Sequence, residues 1–377
     1  MSHQAVRPAT IAESDPPRPA AVIDLGATSF RMAIAEIHPN GHVRTLETLV
    51  QSVNLGREAF ENRRITRKSI ERCAAILQRY QRVLREYGID SSRDVRVVAT
   101  TAVPEATNRL AFADRIFVAT GLNVEPIDEA EVNRITYVGV IPDLQSEPEL
   151  AVGKTLVVEI GGGNTEMLVV RSGNVLDSQS FRLGSLRLIQ TLDGVRASAK
   201  RRRALMESHI RRTLMRIAES IQDETQIHVV AMGGDIRFAA HRLINDWDGQ
   251  SLARLDTKKL TRLTEDIFGM DEDAIVKKYG ASYLEAESLA AALLAYTMLA
   301  IHFSLPHLLV CDTNLRDGLL HDMAVGGSWT EEFRKQIVRS AISLGRKFEF
   351  DESHARNVAE LARMLFEPVS YTHLRAH

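Results

Sequence analysis

The chain has 377 residues, of which 45% are hydrophobic and 25% are charged, the balance of an ordinary globular protein. Its net charge of −2 excludes a general electrostatic attraction to nucleic acid or to anionic membranes, so an anionic ligand would need a local cluster of cations. The only cysteines, Cys73 and Cys311, are far apart in sequence. They exclude a disulfide framework and a cysteine metal site, and they fit a reducing, cytoplasmic location.

The chain begins with a proline-rich stretch, residues 1–19, which has no apolar core. This composition predicts a disordered leader and neither a signal peptide nor a strand. Residues 21–37 then combine an apolar run, an acid at Asp24, a turn of small residues and a second apolar run. This pattern predicts two antiparallel strands joined by a tight turn.

The same pattern recurs in residues 155–170, where three consecutive glycines form the turn. In the alignment of the two copies, Glu159 takes the place of Asp24, and Glu166 takes the place of Arg31. Glycines let backbone N–H groups approach a ligand closely, and a carboxylate beside such N–H groups suits a phosphate that carries Mg²⁺. One such hairpin alone could be an ordinary turn. Two copies predict two related α/β domains, with phosphates held in the cleft between them.

The remaining elements of the first half follow from periodicity. Amphipathic or buried patterns predict a helix over 66–87, a strand over 94–99, a helix over 108–119 and another over 129–140. Residues 141–153 are polar and contain two prolines, which predicts an exposed loop.

In the second half, a basic helix is predicted from Ala197 to Ile221, either as a solvated face or as a surface that attracts a polyanion. A short strand then leads to Gly233, Gly234 and Asp235, another place where glycines meet an acid. Residues 288–305 are apolar but include a histidine and a tyrosine, so we expect a buried helix rather than a membrane span.

Taken in order, six motifs closely resemble those of the exopolyphosphatase and guanosine pentaphosphate phosphohydrolase family. They are DLGATSFR, VATTAVPEATN, VEIGGGNTEM, FRLGSLRL, AMGGD and DTNLRDGLL. The resemblance implies an α/β fold with two actin-like, ribonuclease H-like domains of the Hsp70 and sugar-kinase superfamily facing a cleft, plus part of a helical HD-like domain. The predicted segments are a leader (1–19), a first domain (20–134), a second domain (135–325), a truncated helical segment (326–368) and a foreign tail (369–377).

The resemblance also implies a function and a set of site residues. Family members remove the terminal phosphate from polyphosphate or from the 5′ end of pppGpp with Mg²⁺. No nucleic-acid or membrane partner is expected, and the family suggests a homodimer. Metal ligands are expected at Asp24 and Glu159, and a catalytic cation at Arg31. The expected phosphate-binding residues are Gly26, Thr28, Ser29, Gly161, Gly162, Gly163, Asn164, Thr165, Gly233 and Gly234.

Two departures from the family pattern bear on catalysis. Pro104 stands where the family has an arginine, and Val132 stands where it has the catalytic glutamate. Glu131 is the expected stand-in base, provided that a local irregularity turns it towards the cleft. The alternative is a non-catalytic homologue that binds polyphosphate or a guanine nucleotide. A small-molecule kinase of the same superfamily is a further alternative.

Overall fold

The computed structural model describes residues 16–89, 93–192, 198–221, 227–326 and 349–373, together with isolated positions between 338 and 345. Most of the predicted leader lies outside the described residues, although Arg18 and Pro19 already belong to the first strand. Residues 374–377 of the predicted tail also lie outside, and residues 369–373 form the end of a helix.

The first sheet has the strand order β3-β2-β1-β4-β5. The first three strands are antiparallel neighbours, whereas β4 runs parallel to β1 and β5 runs parallel to β4. The strands are β1 (Arg18–Leu25), β2 (Ser29–Ile37), β3 (Val43–Ser52), β4 (Val95–Ala99) and β5 (Val124–Pro126).

The second sheet repeats this arrangement, with the strand order β8-β7-β6-β9-β11-β10. Antiparallel pairing joins β6 to β7 and β7 to β8, parallel pairing joins β6 to β9 and β9 to β11, and β10 adds an antiparallel edge. The strands are β6 (Lys154–Ile160), β7 (Thr165–Arg171), β8 (Asn174–Phe181), β9 (His228–Met232), β10 (Ala253–Asp256) and β11 (His307–Val310). The repeated topology confirms the fold class that the two hairpins predict.

Helices cover both sheets and begin where the sequence supplies caps. Thr66 accepts a hydrogen bond from the Ser69 N–H, and Ser282 forms a capping box with Glu285. The helices are α1 (Leu55–Asn62), α2 (Arg67–Glu86), α3 (Ala102–Glu105), α4 (Arg109–Thr120), α5 (Glu129–Ser146), α6 (Pro148–Val152), α7 (Ser185–Gln190), α8 (Ala199–Ile221), α9 (Gly234–Leu243), α10 (Thr257–Phe268), α11 (Glu272–Tyr279), α12 (Tyr283–His302), α13 (Leu315–Ala324) and α14 (Glu352–His373).

Helices α5 and α13 connect the two halves of the molecule. Near its start, α5 buries Ile135 in a cluster with Val22 of the first sheet and Leu319 of α13. Further along, α5 buries Val140 in a cluster with Val157 of the second sheet. The predicted domain boundary at residues 134–135 therefore falls inside a continuous helix.

The loop predicted for residues 141–153 is wrong. Helix α5 continues to Ser146 with Pro142 inside it, and α6 begins with Pro148 at its first position, where a proline is well tolerated. Leu144 and Leu150 are buried in the same apolar cluster, and their burial outweighs the cost of a proline within the helix.

Helix α12 (Tyr283–His302) contains most of the apolar segment of residues 288–305 and begins five residues before it. Among the described helices it alone is long and apolar enough to cross a membrane, and 67% of its most apolar window is buried inside the protein. It contributes twelve buried residues and belongs to the core of the second sheet.

Candidate active site

A cavity of 540 Å³ lies where the hairpin turns of the two sheets face each other. Its walls are the two turns, the segments that follow β4 and β9, the first turns of α5 and α13, and the connection from α11 into α12. The two predicted loops therefore belong to one site, although about 135 residues separate them in sequence.

The two turns have the same backbone geometry. In the first, the Gly26 N–H donates to the Ser29 carbonyl at 3.0 Å, and in the second the Gly161 N–H donates to the Asn164 carbonyl at 2.9 Å. Strand register places Asp24 opposite Arg31 and Glu159 opposite Glu166, as the sequence alignment of the two copies requires.

Glycine is required in the second turn because other residues approach it closely. A Cβ on Gly163 would lie 2.6 Å from the methyl carbon of Thr101 and 2.7 Å from the Phe60 ring. A Cβ on Gly162 would lie 3.5 Å from the methyl carbon of Thr28 in the opposite turn. A side chain on Gly162 would therefore contact the first turn across the cavity.

A buried tyrosine fixes two strand ends from beneath. The Tyr296 hydroxyl donates to the Met232 carbonyl and accepts a hydrogen bond of 2.8 Å from the Ile160 N–H. It therefore links the end of β6, just before the glycine turn, to the end of β9, just before Gly233. Gly233 has a φ of +108°, which favours glycine.

Three arginines supply positive charge to this region. Arg31 reaches across the cavity, with its Nη2 atom 3.8 Å from the place that a Cβ on Gly234 would occupy. Arg316, at the start of α13, is buried and lies 3.9 Å from Asp24. Arg237 forms an ion pair of 3.4 Å with Asp312.

Four carboxyl groups with raised pKa values line the cavity. Burial raises the pKa of Asp24 against the opposing effect of Arg31 and Arg316, and burial also raises the pKa of Glu159. It raises the pKa of Glu166 to about 8 and that of Asp235 to about 6. Because burial is the largest cause in each case, these carboxyl groups hold their protons more tightly than exposed ones do.

Buried oxygen atoms without donors suit a cation at this site. Oδ1 of Asp24 and Oε2 of Glu166 are shielded from solvent and accept no hydrogen bond from the described residues. No group of three carboxylate, histidine or cysteine side chains within the described ranges is arranged to hold a metal ion. The unpartnered oxygen of Asp24 fits a Mg²⁺ that is held by one or two carboxylates and completed by substrate phosphates.

Comparison with known proteins assigns the family. Residues 33–325 match the model of the Ppx/GppA phosphatase family, which is most of the chain. The chain belongs to this family.

A guanosine-5′-triphosphate,3′-diphosphate pyrophosphatase of Vibrio atlanticus is 24% identical over 356 residues, covering 92% of this chain and 67% of that protein. A bifunctional 3-dehydroquinate synthase/phosphatase of Fusobacterium nucleatum is 26% identical over 174 residues. The chain spans only 26% of the length of that relative.

Solved structures of Ppx/GppA proteins share the fold. An exopolyphosphatase from Cytophaga hutchinsonii superposes with a TM-score of 0.72 at 23% identity, covering 82% of this chain and 98% of its own. A Ppx/GppA family member from Aquifex aeolicus gives a TM-score of 0.67 at 22% identity, covering 84% of this chain and all of its own. The two-domain actin-like architecture is that of the Ppx/GppA family.

Most of the predicted site residues line the cavity, and two do not. Thr165 is buried beneath the turn, where its hydroxyl donates to the Leu183 carbonyl at 2.5 Å. Glu131 lies on the side of α5 that faces away from the cavity. Those that line the cavity are Asp24, Gly26, Thr28, Ser29, Arg31, Glu159, Gly161, Gly162, Gly163, Asn164, Gly233 and Gly234.

The expectation that Glu131 turns into the cleft is wrong. Its carboxylate accepts hydrogen bonds of 2.8 Å from two nitrogens of Arg134 and one of 3.4 Å from Arg96. Both arginines also pair with Asp322 of α13. No irregularity at the start of α5 turns Glu131, and this network of charges holds it outside the cavity.

A different carboxylate of the same helix does reach the cavity. Glu129 and Val132, three residues apart and therefore on one helix face, both line it. Glu129 is exposed, and its charge contributes to the raised pKa of Glu166. Glu129 lies three residues before Val132, the position at which the family has its catalytic glutamate. This helical spacing is the sequence signal that could have identified Glu129.

Arg316 and Glu166 are further site residues without a predicted role. Arg316 lies in the DTNLRDGLL motif, and Glu166 lies in the second turn motif. The basic helix α8 lies elsewhere, since none of its residues lines the cavity, and its Arg203 pairs with Glu207 and Glu265.

Proposed function

We propose that this Ppx/GppA protein is a Mg²⁺-dependent phosphohydrolase that removes a terminal phosphate from inorganic polyphosphate or from pppGpp. The observation that carries the proposal is the pair of matching turns that face each other across one cavity, with Arg31 and Arg316 beside them. The names of the relatives support it, since one is a guanosine pentaphosphate pyrophosphatase and a structural neighbour is an exopolyphosphatase. The two buried free thiols, Cys73 and Cys311, support a cytoplasmic location.

Backbone donors would bind the reacting phosphoryl group. The N–H groups of Gly162 and Gly163 have no acceptor among the described residues, and Arg31 adds a guanidinium on the opposite side. Preorganised donors of this kind stabilise the charge on the phosphoryl oxygens as the transition state forms.

Glu129 would act as the general base. A water oxygen attacks the terminal phosphorus and gives its proton to the Glu129 carboxylate, while the bridging P–O bond breaks and its electrons remain on the departing phosphate chain. Glu166 is the less suitable acceptor, because a pKa of about 8 keeps it protonated at neutral pH.

Asp24 and Glu159 would hold Mg²⁺, one from each sheet. The ion supplies neutralisation of the charge on the substrate phosphates when it is bound. Because burial raises the pKa of both carboxyls, a bound cation would also favour their ionised forms.

The test is phosphate release from polyphosphate and from pppGpp with Mg²⁺, for the wild type, Glu129→Gln and Val132→Glu. We expect Glu129→Gln to lower kcat about 10²–10⁴-fold, since it removes a positioned base. Val132→Glu restores an acid one turn further along the same face and is expected to raise kcat.

Glu131→Gln is the matched control on the same helix. Because Glu131 lies outside the cavity, this variant should keep its kcat within a few-fold and lose some stability through the network with Arg96 and Arg134. Full activity of Glu129→Gln, or its loss in Glu131→Gln with the fold intact, would contradict the assignment of the base.

One observation favours a second candidate function, a non-catalytic binder of the same ligands. Val132 lines the cavity at the position where the resemblance places a glutamate. A wild type that binds polyphosphate or pppGpp without hydrolysing it, together with gain of activity in Val132→Glu, would identify the protein as such a binder.

A further inference from the structure

A second concavity, of 420 Å³, continues from the cavity towards the surface of the first domain. Pro104, Glu105 and Glu129 line both spaces, so a ligand in one can extend into the other. We call the second space the arginine groove, after the three arginines that line it, Arg63, Arg109 and Arg182.

The groove carries a surplus of positive charge. Of its two acids, Glu105 is already paired, since Arg187 donates to one of its oxygens and Arg182 donates to the other at 3.3 Å, which leaves Arg63 and Arg109 against the single charge of Glu129. Arg63 and Arg109 are exposed, and neither makes a side-chain hydrogen bond or ion pair with a described residue. Two guanidinium groups in the groove are therefore available to a ligand.

The backbone around these arginines is held firmly. The side chain of Asn108 both accepts from the Ile65 N–H at 3.0 Å and donates to the Ile65 carbonyl at 2.8 Å. The Thr107 N–H and hydroxyl both donate to the Arg63 carbonyl, at 2.7 and 2.8 Å. These bonds fix the end of α1 against the start of α4, and so fix Arg63 relative to Arg109.

Arg63 stands in a backbone conformation that favours glycine. It follows α1 with φ 51° and ψ 25°, in the left-handed region. Glycine would be less strained there, so the chain keeps an arginine charge at the groove at a cost in backbone strain.

We propose that the arginine groove binds the phosphoryl groups of the substrate that are not hydrolysed. This inference rests on the proposed function for the placement of the terminal phosphate at the two turns. A phosphate chain whose first three phosphates occupy the main cavity would pass Pro104 and bring its later phosphates to Arg63 and Arg109, whose planar forks match phosphate oxygens. The ligand chemistry is a polyphosphoryl group, either in a long inorganic chain or as the 3′-diphosphate of pppGpp.

The test compares Arg63→Gln and the double variant Arg63→Gln/Arg109→Gln with Arg64→Gln. Arg64 is the neighbouring exposed arginine, which lines neither space, so its variant loses the same charge without touching the groove. Equilibrium binding is measured without Mg²⁺, to prevent turnover, for long-chain polyphosphate, tripolyphosphate, pppGpp and GTP.

We expect Arg63→Gln to bind long-chain polyphosphate or pppGpp about 10-fold more weakly than the wild type. The double variant should bind the same ligand about 100-fold more weakly, as for the loss of charge-assisted hydrogen bonds. The dependence of log K on log salt should become shallower by about 0.7 per arginine removed. Tripolyphosphate and GTP should change less than about twofold, because the main cavity holds them. A selective loss with polyphosphate or with pppGpp identifies which of the two sources the groove serves.

Arg63→Gly separates binding from folding. If Arg63 served only structure, its removal would lower stability, whereas the groove proposal predicts a rise in Tm of about 2 °C from relief of the left-handed strain, together with weaker binding. Unchanged binding of all long ligands in the double variant, or an equal loss in Arg64→Gln, would overturn the proposal.

The two proposals fail in different ways. A wild type that hydrolyses nothing but whose polyphosphate binding depends on Arg63 would refute the hydrolase function and support the groove. A wild type that hydrolyses both substrates while the double variant binds and turns them over normally would refute the groove alone.

Discussion

The two turns at the centre of the cavity share one backbone and differ in charge. In the first, register places Asp24 opposite Arg31, so an acid faces a cation. In the second, Glu159 lies opposite Glu166, so an acid faces an acid. The first turn has a cation within its own hairpin, whereas the second depends on cations that other elements supply, including Arg31 itself. The second turn therefore depends on the first.

Among the substitutions considered below, removal of Arg31 is expected to have the largest effect, because both turns depend on its charge. Its guanidinium opposes the raised pKa of Asp24, Glu159 and Asp235, so it acts on both turns at once. Arg31→Gln is expected to lower kcat/KM for phosphate release by about 10²–10³-fold.

The matched control is Arg44→Gln. Arg44 belongs to the neighbouring strand of the same sheet and pairs with Glu36 at 2.6 Å on an exposed surface. Its removal should leave kcat/KM unchanged within about twofold. Equal losses in the two variants would mean that Arg31 acts through the stability of the sheet and not through the site.

Much of this comparison could be read from the sequence, because it depends on local pattern. Alternating apolar runs around glycines predict both hairpins, and the aligned acids predict that Asp24 and Glu159 occupy equivalent places. Proline content, by contrast, misled the prediction for residues 141–153, since burial of Leu144 and Leu150 maintains helix there.

The partners of the site residues depend on tertiary structure and could not be read in this way. Arg316 reaches Asp24 because α13 crosses back to the first sheet. Glu131 is held outside because the same helix brings Asp322 to Arg96 and Arg134. No local pattern specifies such contacts between residues so distant in sequence.

Glu166 of the second turn makes the free energy of unfolding depend on pH. Its pKa of about 8 in the folded protein lies above the 4.5 of an exposed glutamate, so the folded state keeps a proton that the unfolded chain releases between these values. Stability therefore falls as pH rises through this window. Glu166→Gln removes the effect, and its free energy of unfolding relative to the wild type should rise by about 3 kcal/mol between pH 5 and pH 8, at ~1.4 kcal/mol per pH unit over most of this interval.

The measurement is urea unfolding without divalent cations at several pH values. Glu219→Gln, which changes an exposed glutamate of α8, is the control and should show no such trend. A stability difference for Glu166→Gln that is constant with pH, or that shrinks as pH rises, would show that Glu166 is ionised in the folded protein.

The most direct test is calorimetric binding of tripolyphosphate, with and without Mg²⁺, to Glu129→Gln, which suppresses turnover, and to the same variant carrying Asp24→Asn or Glu159→Gln. If the two turns hold one phosphate site together, Mg²⁺ should strengthen binding to Glu129→Gln, and either further substitution should remove at least about 10-fold of that gain, as the loss of one charged ligand would. Binding that Mg²⁺ does not affect, or that only one of the two acids influences, would contradict a site shared between the two domains.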